Sequence, residues 1–169
     1  MAGAPLSVPG REHALLTLEP GARLPADGTP GTVRAAIQVR GATQRWAEYL
    51  LEGGERSLWL AVEQLPDGGV RLSRWSRTTA DAAGFDPSRP VLRGVRLAET
   101  ERGHADFEAT GAFDGVKGIT PGRGRLHYID YAGPGVRTSL ERFAPDAPGL
   151  LGIGTEPGTP GDRTEERHD

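Results

Sequence analysis

The sequence predicts an all-β fold: a single antiparallel β-barrel or β-sandwich-like domain with a disordered C-terminal tail. Three observations lead there. Short runs rich in β-branched and aromatic residues recur between Gly and Pro punctuation. Nowhere does an i, i+3, i+4 apolar pattern persist over three helical turns. From Ala144 onward the chain is mostly Pro, Gly and charge, and such a segment buries too little apolar area to offset its ordering entropy.

The runs follow in order. Ala14 to Leu18 reads as a first strand or lead-in, with a short helix as the alternative. Val33 to Val39 is β-branched and ends at Gly41. Trp46 to Leu51 ends at Gly53-Gly54, and Leu58 to Val62 stops at Pro66-Asp-Gly-Gly69. Val70 to Trp75 then alternates. Asp and Gly tolerate the positive φ of tight turns, so Leu58–Trp75 reads as a hairpin. Thr78 to Pro90 is a connection in which Gly84 and Pro87 forbid a long helix. Pro90–Arg93, Val95–Thr100 and Ala105–Phe113 are separate runs, punctuated at Gly94 and Arg102-Gly103. A Gly-rich loop through Gly115, Gly118, Gly122 and Gly124 leads to Arg125–Tyr131, and Val136–Phe143 is the last run. The domain reading is a flexible terminus at 1–13, a β-rich core at 14–143 and a tail at 144–169.

Composition narrows function. The 169 residues carry 25 Gly and 14 Pro, a formal net charge of −3 and no Cys. Disulfides, thiolate metal sites and Cys nucleophiles are therefore excluded. There is no basic excess to neutralise phosphates, so nucleic acid is not an expected partner. Lys117 is the one Lys; the Arg, Ala, Gly and Pro bias fits a GC-rich coding sequence. No basic-then-apolar leader opens the chain, and no apolar run approaches the ~20 residues that span a bilayer. A cytoplasmic protein without direct membrane insertion is expected.

Few residues carry recognisable chemistry. Gly-x-Ser-x-Gly and Gly-x-Gly-x-x-Gly patterns are absent. In Trp46-Ala-Glu48-Tyr49-Leu50-Leu51, strand alternation puts Glu48 between Trp46 and Leu50 on one face. It is either a desolvated acid or ligand group, or a structural carboxylate paired to an Arg such as Arg74 or sitting at a solvated sheet edge. Arg123 and Arg125, in the Gly-rich loop, could hold an anion, though the loop lacks the Gly-Lys-Ser/Thr of a phosphate loop. Trp46, Trp59 and Trp75 could stack a ligand, or pack the sheet. His127 and Asp130 point to opposite faces and make no dyad. His104 and Asp106 share a face but lack a third metal ligand, since His13 and His168 lie in the terminal segments.

The residues also resemble a bacterial family, domain of unknown function 4178. The matching positions are Pro20-Gly21, Val39-Arg-Gly41, Trp46-Ala-Glu48-Tyr49-Leu50-Leu51 and Trp59-Leu60. Further on they are Gly94 with Leu97 and Glu99, Gly111, Asp130-Tyr131 and Leu140-Glu141. The departures are Val95, where an aromatic is expected, and a divergent Gly111–Arg125. The resemblance implies an all-β, non-enzymatic module, accessory to a membrane-stress or polyamine-related system, and identifies no catalytic residue.

The expected function is thus a non-catalytic binding or assembly module with a protein partner, membrane-associated, and with no cofactor and no metal. Arg123, Arg125, Trp46 and Glu48 are its candidate ligand-binding residues. The alternatives are an oligonucleotide- or small-anion-binding barrel, favoured by a contiguous Arg-plus-Trp surface, or an enzyme using Glu48 and Glu141, favoured by finding the two buried together in a pocket.

Overall fold

The computed structural model describes residues 12–24, 31–52 and 58–155. One helical turn, α1 (Glu12–Leu15), precedes ten strands: β1 (Thr32–Arg40), β2 (Arg45–Glu52), β3 (Leu58–Gln64), β4 (Val70–Thr79), β5 (Val91–Leu92), β6 (Val95–Arg96), β7 (Ala98–Gly111), β8 (Gly122–Gly133), β9 (Val136–Arg142) and β10 (Leu150–Thr155). Eight of them close an antiparallel barrel in the order β1-β2-β3-β4-β10-β9-β8-β7, while β5 and β6 form a small separate hairpin. Closure gives every barrel strand a neighbour on both sides. The barrel alternative of the sequence reading holds, and the sandwich does not.

Local chemistry explains the turns. Between β3 and β4, Leu65 donates its N–H to the Gly69 carbonyl at 2.7 Å, Asp67 Oδ1 accepts from Gly69 N–H at 2.8 Å, and Gly68 has φ +87°. Between β5 and β6 the two linking residues, Arg93 and Gly94, have φ +51° and +76°, the left-handed pair of a two-residue hairpin.

Three apolar clusters result from strand alternation. One fills the barrel interior around Ile37, Leu50, Phe107, Leu126, Phe143 and Leu150. A second lies outside, where Leu15, Leu16 and Leu24 cover Ala36, Ala47, Tyr49 and Val62. Tyr49 fastens that cover: its hydroxyl donates to the Leu15 carbonyl at 2.6 Å and accepts from Leu18 N–H at 3.1 Å. A third lies outside under the β4–β7 connection, where Phe85, Leu92 and Leu97 meet Ile129, Tyr131 and Leu151.

Several expectations change. The apolar stretch at Ala14–Leu18 is no strand: α1 ends inside it, and its leucines serve as an outer cover. The core does not stop at 143. Leu150–Thr155 pairs with both β4 and β9 and completes the closure, so only residues 156–169 of the expected tail and 1–11 of the expected N-terminus lie outside the described residues. Gly103 does not break a strand, and Gly122 and Gly124 are not loop: β7 and β8 run straight through them. For Gly103 and Gly124 the reason is steric. A Cβ on Gly103 would lie 2.9 Å from the Tyr128 hydroxyl, and one on Gly124 would lie 2.8 Å from the Phe107 ring. Each glycine is the direct cross-strand partner of that aromatic. Gly154 likewise faces Trp75 across the β4–β10 ladder. These glycines make room inside the barrel for rings.

Candidate functional site at the barrel mouth

The barrel interior differs along its axis. At the end where the β7–β8 connection folds over, Phe113 and Ile119 join Phe107 and Phe143, whose rings meet edge-to-face at 5.1 Å. At the opposite end, a cavity of about 170 Å³ opens among Trp46, Glu48, Trp59, Trp75, Arg77, Tyr128, Asp130 and Glu141. Eight strands enclose just enough space to be filled by side chains or to hold one small ligand; this barrel does the first at one end and the second at the other.

The cavity floor is a buried ionic group. Arg77 Nη2 donates to Glu48 Oε2 at 2.5 Å and to Glu141 Oε2 at 2.9 Å. All three side chains are nearly fully buried, at 7–9% exposure. The guanidinium lies over the Trp59 ring, 4.2 Å from its centroid. Trp46 Nε1 donates to the other Glu48 oxygen at 3.2 Å. Burial alone would raise the Glu48 pKa, but the Arg77 charge and hydrogen bonds from Glu141, Arg77 and Trp46 hold it below the usual carboxylate range. Burial, together with the Glu48 charge, pushes Glu141 well above that range despite Arg77. Two adjacent carboxyls facing one cation thus titrate as a coupled pair.

Nearer the opening, Asp130 accepts from the Ser139 hydroxyl at 2.7 Å. Burial raises its pKa, and the carboxylates of Glu101, Glu63 and Glu48 add to the rise. Glu101 accepts from Gln44 Nε2 at 3.0 and 3.1 Å and from the Tyr128 hydroxyl at 3.1 Å. Arg71 pairs with Glu63. Trp46 and Tyr128 stand edge-to-face at 5.5 Å, and Trp75 Nε1 donates to Ser73 Oγ at 2.7 Å.

Of the four candidate ligand-binding residues, the fold brings Trp46 and Glu48 into this cavity. Arg123 and Arg125 sit at the other end of the barrel, exposed on the outer face, where Arg123 lies 3.4 Å from Glu108 and Arg125 is opposite Asp106 in the ladder. A contiguous Arg-plus-Trp surface does not form from them. The partner of Glu48 is Arg77, not Arg74: positions 73, 75 and 77 of β4 line the interior, and Arg74 is exposed. His104 and His127 are cross-strand partners with ring centroids 4.7 Å apart, and no metal-binding group of three ligands occurs among the described residues. Sequence reasoning missed Arg77, Asp130 and Tyr128 as cavity residues. Alternation in β4 and β8 was the available signal: Trp75 and Arg77 share a face, as do Tyr128 and Asp130.

The strands of a closed eight-stranded barrel thus converge on a polar, aromatic-walled mouth. The chain belongs to the family described as Domain of unknown function (DUF4178), which matches residues 19–150. It is 36% identical over 136 residues to Uncharacterized protein Rv2597 of Mycobacterium tuberculosis and, equally, to Uncharacterized protein Mb2628 of Mycobacterium bovis. Those alignments cover 76% of this chain and 62% of each relative, so the chain spans less than two thirds of their length. No solved structure matches it. Trp46, Glu48, Trp59, Asp130 and Glu141, which carry the family resemblance, all line the cavity. No helix among the described residues is long and apolar enough to cross a membrane.

Proposed function

We propose that this protein is a non-catalytic binding module that holds a small polar molecule in the mouth of its barrel. The observation that carries this reading is the contrast within one interior: packed rings at one end, an open cavity of about 170 Å³ at the other. A cavity near 150 Å³ accommodates benzene, so this one suits a compound of about six to ten heavy atoms. The module acts in the cytoplasm, through a protein partner, as an accessory to a membrane-stress or polyamine-related system.

The test is a ligand-observed NMR screen of the full chain against small cationic, neutral and anionic compounds, followed by tryptophan fluorescence. Hits should quench Trp fluorescence and be lost in Ala61→Phe, which fills the cavity, while that variant still melts cooperatively. Hits unaffected by Ala61→Phe would remove the cavity from the reading. For the partner, capture from gently solubilised membranes should recover a membrane-associated protein with the wild-type chain.

A second reading, an enzyme using Glu48 and Glu141, is favoured by their buried proximity in the cavity. Binding is preferred because Arg77 engages both carboxyls and leaves each less than a tenth exposed. Consumption of any screened compound, abolished by Glu141→Gln, would reverse that preference.

A further inference from the structure

The chemistry of the cavity specifies its occupant further. Its lining carries four carboxyl groups, Glu48, Glu63, Asp130 and Glu141, and two guanidiniums, Arg77 and Arg137. Arg77 is committed to Glu48 and Glu141, and Arg71 answers Glu63. Asp130 differs. It accepts from the neutral Ser139 hydroxyl, and the charges acting on it most strongly are other carboxylates. A half-buried carboxylate surrounded by like charges favours a cation beside it.

The walls favour the same charge. Indole faces attract cations, and the fold already uses two of them so: Arg77 over Trp59 at 4.2 Å, and Arg137 at 5.9 Å from Trp75. Trp46 and Tyr128 add two more aromatic surfaces beside Asp130 and Glu101.

We propose that the barrel mouth binds a small organic ammonium compound, its cationic end between Asp130 and the Trp46–Tyr128 walls. This rests on the small-molecule reading above and names its ligand class.

The test compares isosteres on the full chain. Choline and 3,3-dimethyl-1-butanol share a shape and a hydroxyl and differ in charge. Titration calorimetry and tryptophan quenching should show choline binding at least ~10-fold more tightly than the neutral alcohol, the size of one lost interaction of about 1.4 kcal/mol. Asp130→Asn keeps the Ser139 contact and should erase the preference for choline over the neutral alcohol. Glu108→Gln, at the far end, should leave it intact. If Asp130→Asn lowers the melting temperature sharply, Glu101→Gln replaces it with the same expectation. Equal or tighter binding of the neutral alcohol, lost in Ala61→Phe, would overturn the cation inference and leave the small-molecule reading standing. Failure of ammonium compounds while anions or neutrals from the screen bind would do the same. No cavity-dependent binder of any charge would overturn both.

Discussion

Along β2 the inward face reads Leu50, Glu48, Trp46 from one end of the barrel to the other, and along β9, starting from Phe143 just past its end, it reads Phe143, Glu141, Ser139. The same two strands therefore build a dry, interdigitated core at one end and a polar cavity at the other. The closed end is held by dispersion and apolar burial, terms that tolerate volume-conserving changes. The mouth is held by one guanidinium between two carboxyls, which tolerates no change in charge count. The two ends should respond differently to the same kind of substitution.

The largest expected effect is at the mouth. Arg77→Met leaves two carboxyls adjacent and without their cation, and should cost about 3–5 kcal/mol in denaturant unfolding. Replacing the whole trio, with Glu48→Gln and Glu141→Leu added, should recover most of that loss. A triple variant as unstable as the single one would mean that Arg77 matters through its packing on Trp59.

The next effect belongs to the closed end. Gly124→Val drives a branched side chain into Phe107 and should cost about 1–3 kcal/mol, the usual range for overpacking. Combining it with Phe107→Ala should relieve part of the cost, as expected for residues in contact. Additive costs would show that Gly124 is needed for its backbone and not for the ring it faces.

Glu141→Gln should act through pH. A carboxyl whose folded pKa lies above its unfolded value binds a proton in the native state that the unfolded chain has released. Its contribution is complete below the unfolded value of 4.5 and is lost as pH rises through the folded value. Glu48 has the opposite sign, its contribution being lost only as pH falls through its depressed folded value. Wild-type stability should therefore decline as pH rises from 5 towards 9, and Glu141→Gln, which mimics the protonated acid, should flatten that decline. An unchanged slope in urea titrations across this range would place the proton elsewhere. The smallest effect, about 1 kcal/mol, is expected for Gly94→Ala at φ +76° in the β5–β6 turn, with ligand binding at the mouth unaffected.

The contrast between the ends also explains what could be read in advance. Val33–Val39, Trp46–Leu51 and the Pro66-Asp-Gly-Gly69 hairpin were legible because alternation and turn chemistry act within a few residues. So was the choice of fates for Glu48: the flanking Trp46 and Leu50 pointed to a desolvated acid or a structural carboxylate with a cationic partner, and the fold supplies the partner, which holds its pKa low. That its partner is Arg77, 29 positions away, follows from the β2-β3-β4 register and from no local pattern.

By itself, then, the sequence determined the β class, most strand positions, the absence of cysteine chemistry and the two carboxyls worth attention, since each depends on residue type and short-range period. Tertiary structure decided the rest. Leu150–Thr155 is a strand only because β4 and β9 offer ladders on both sides of it. Gly103, Gly124 and Gly154 look like breaks in one dimension and become spaces for Tyr128, Phe107 and Trp75 once the strands stand opposite each other. The mouth exists because closure brings β2, β4, β8 and β9 around one axis, and only there do Glu48, Arg77, Asp130 and Glu141 meet.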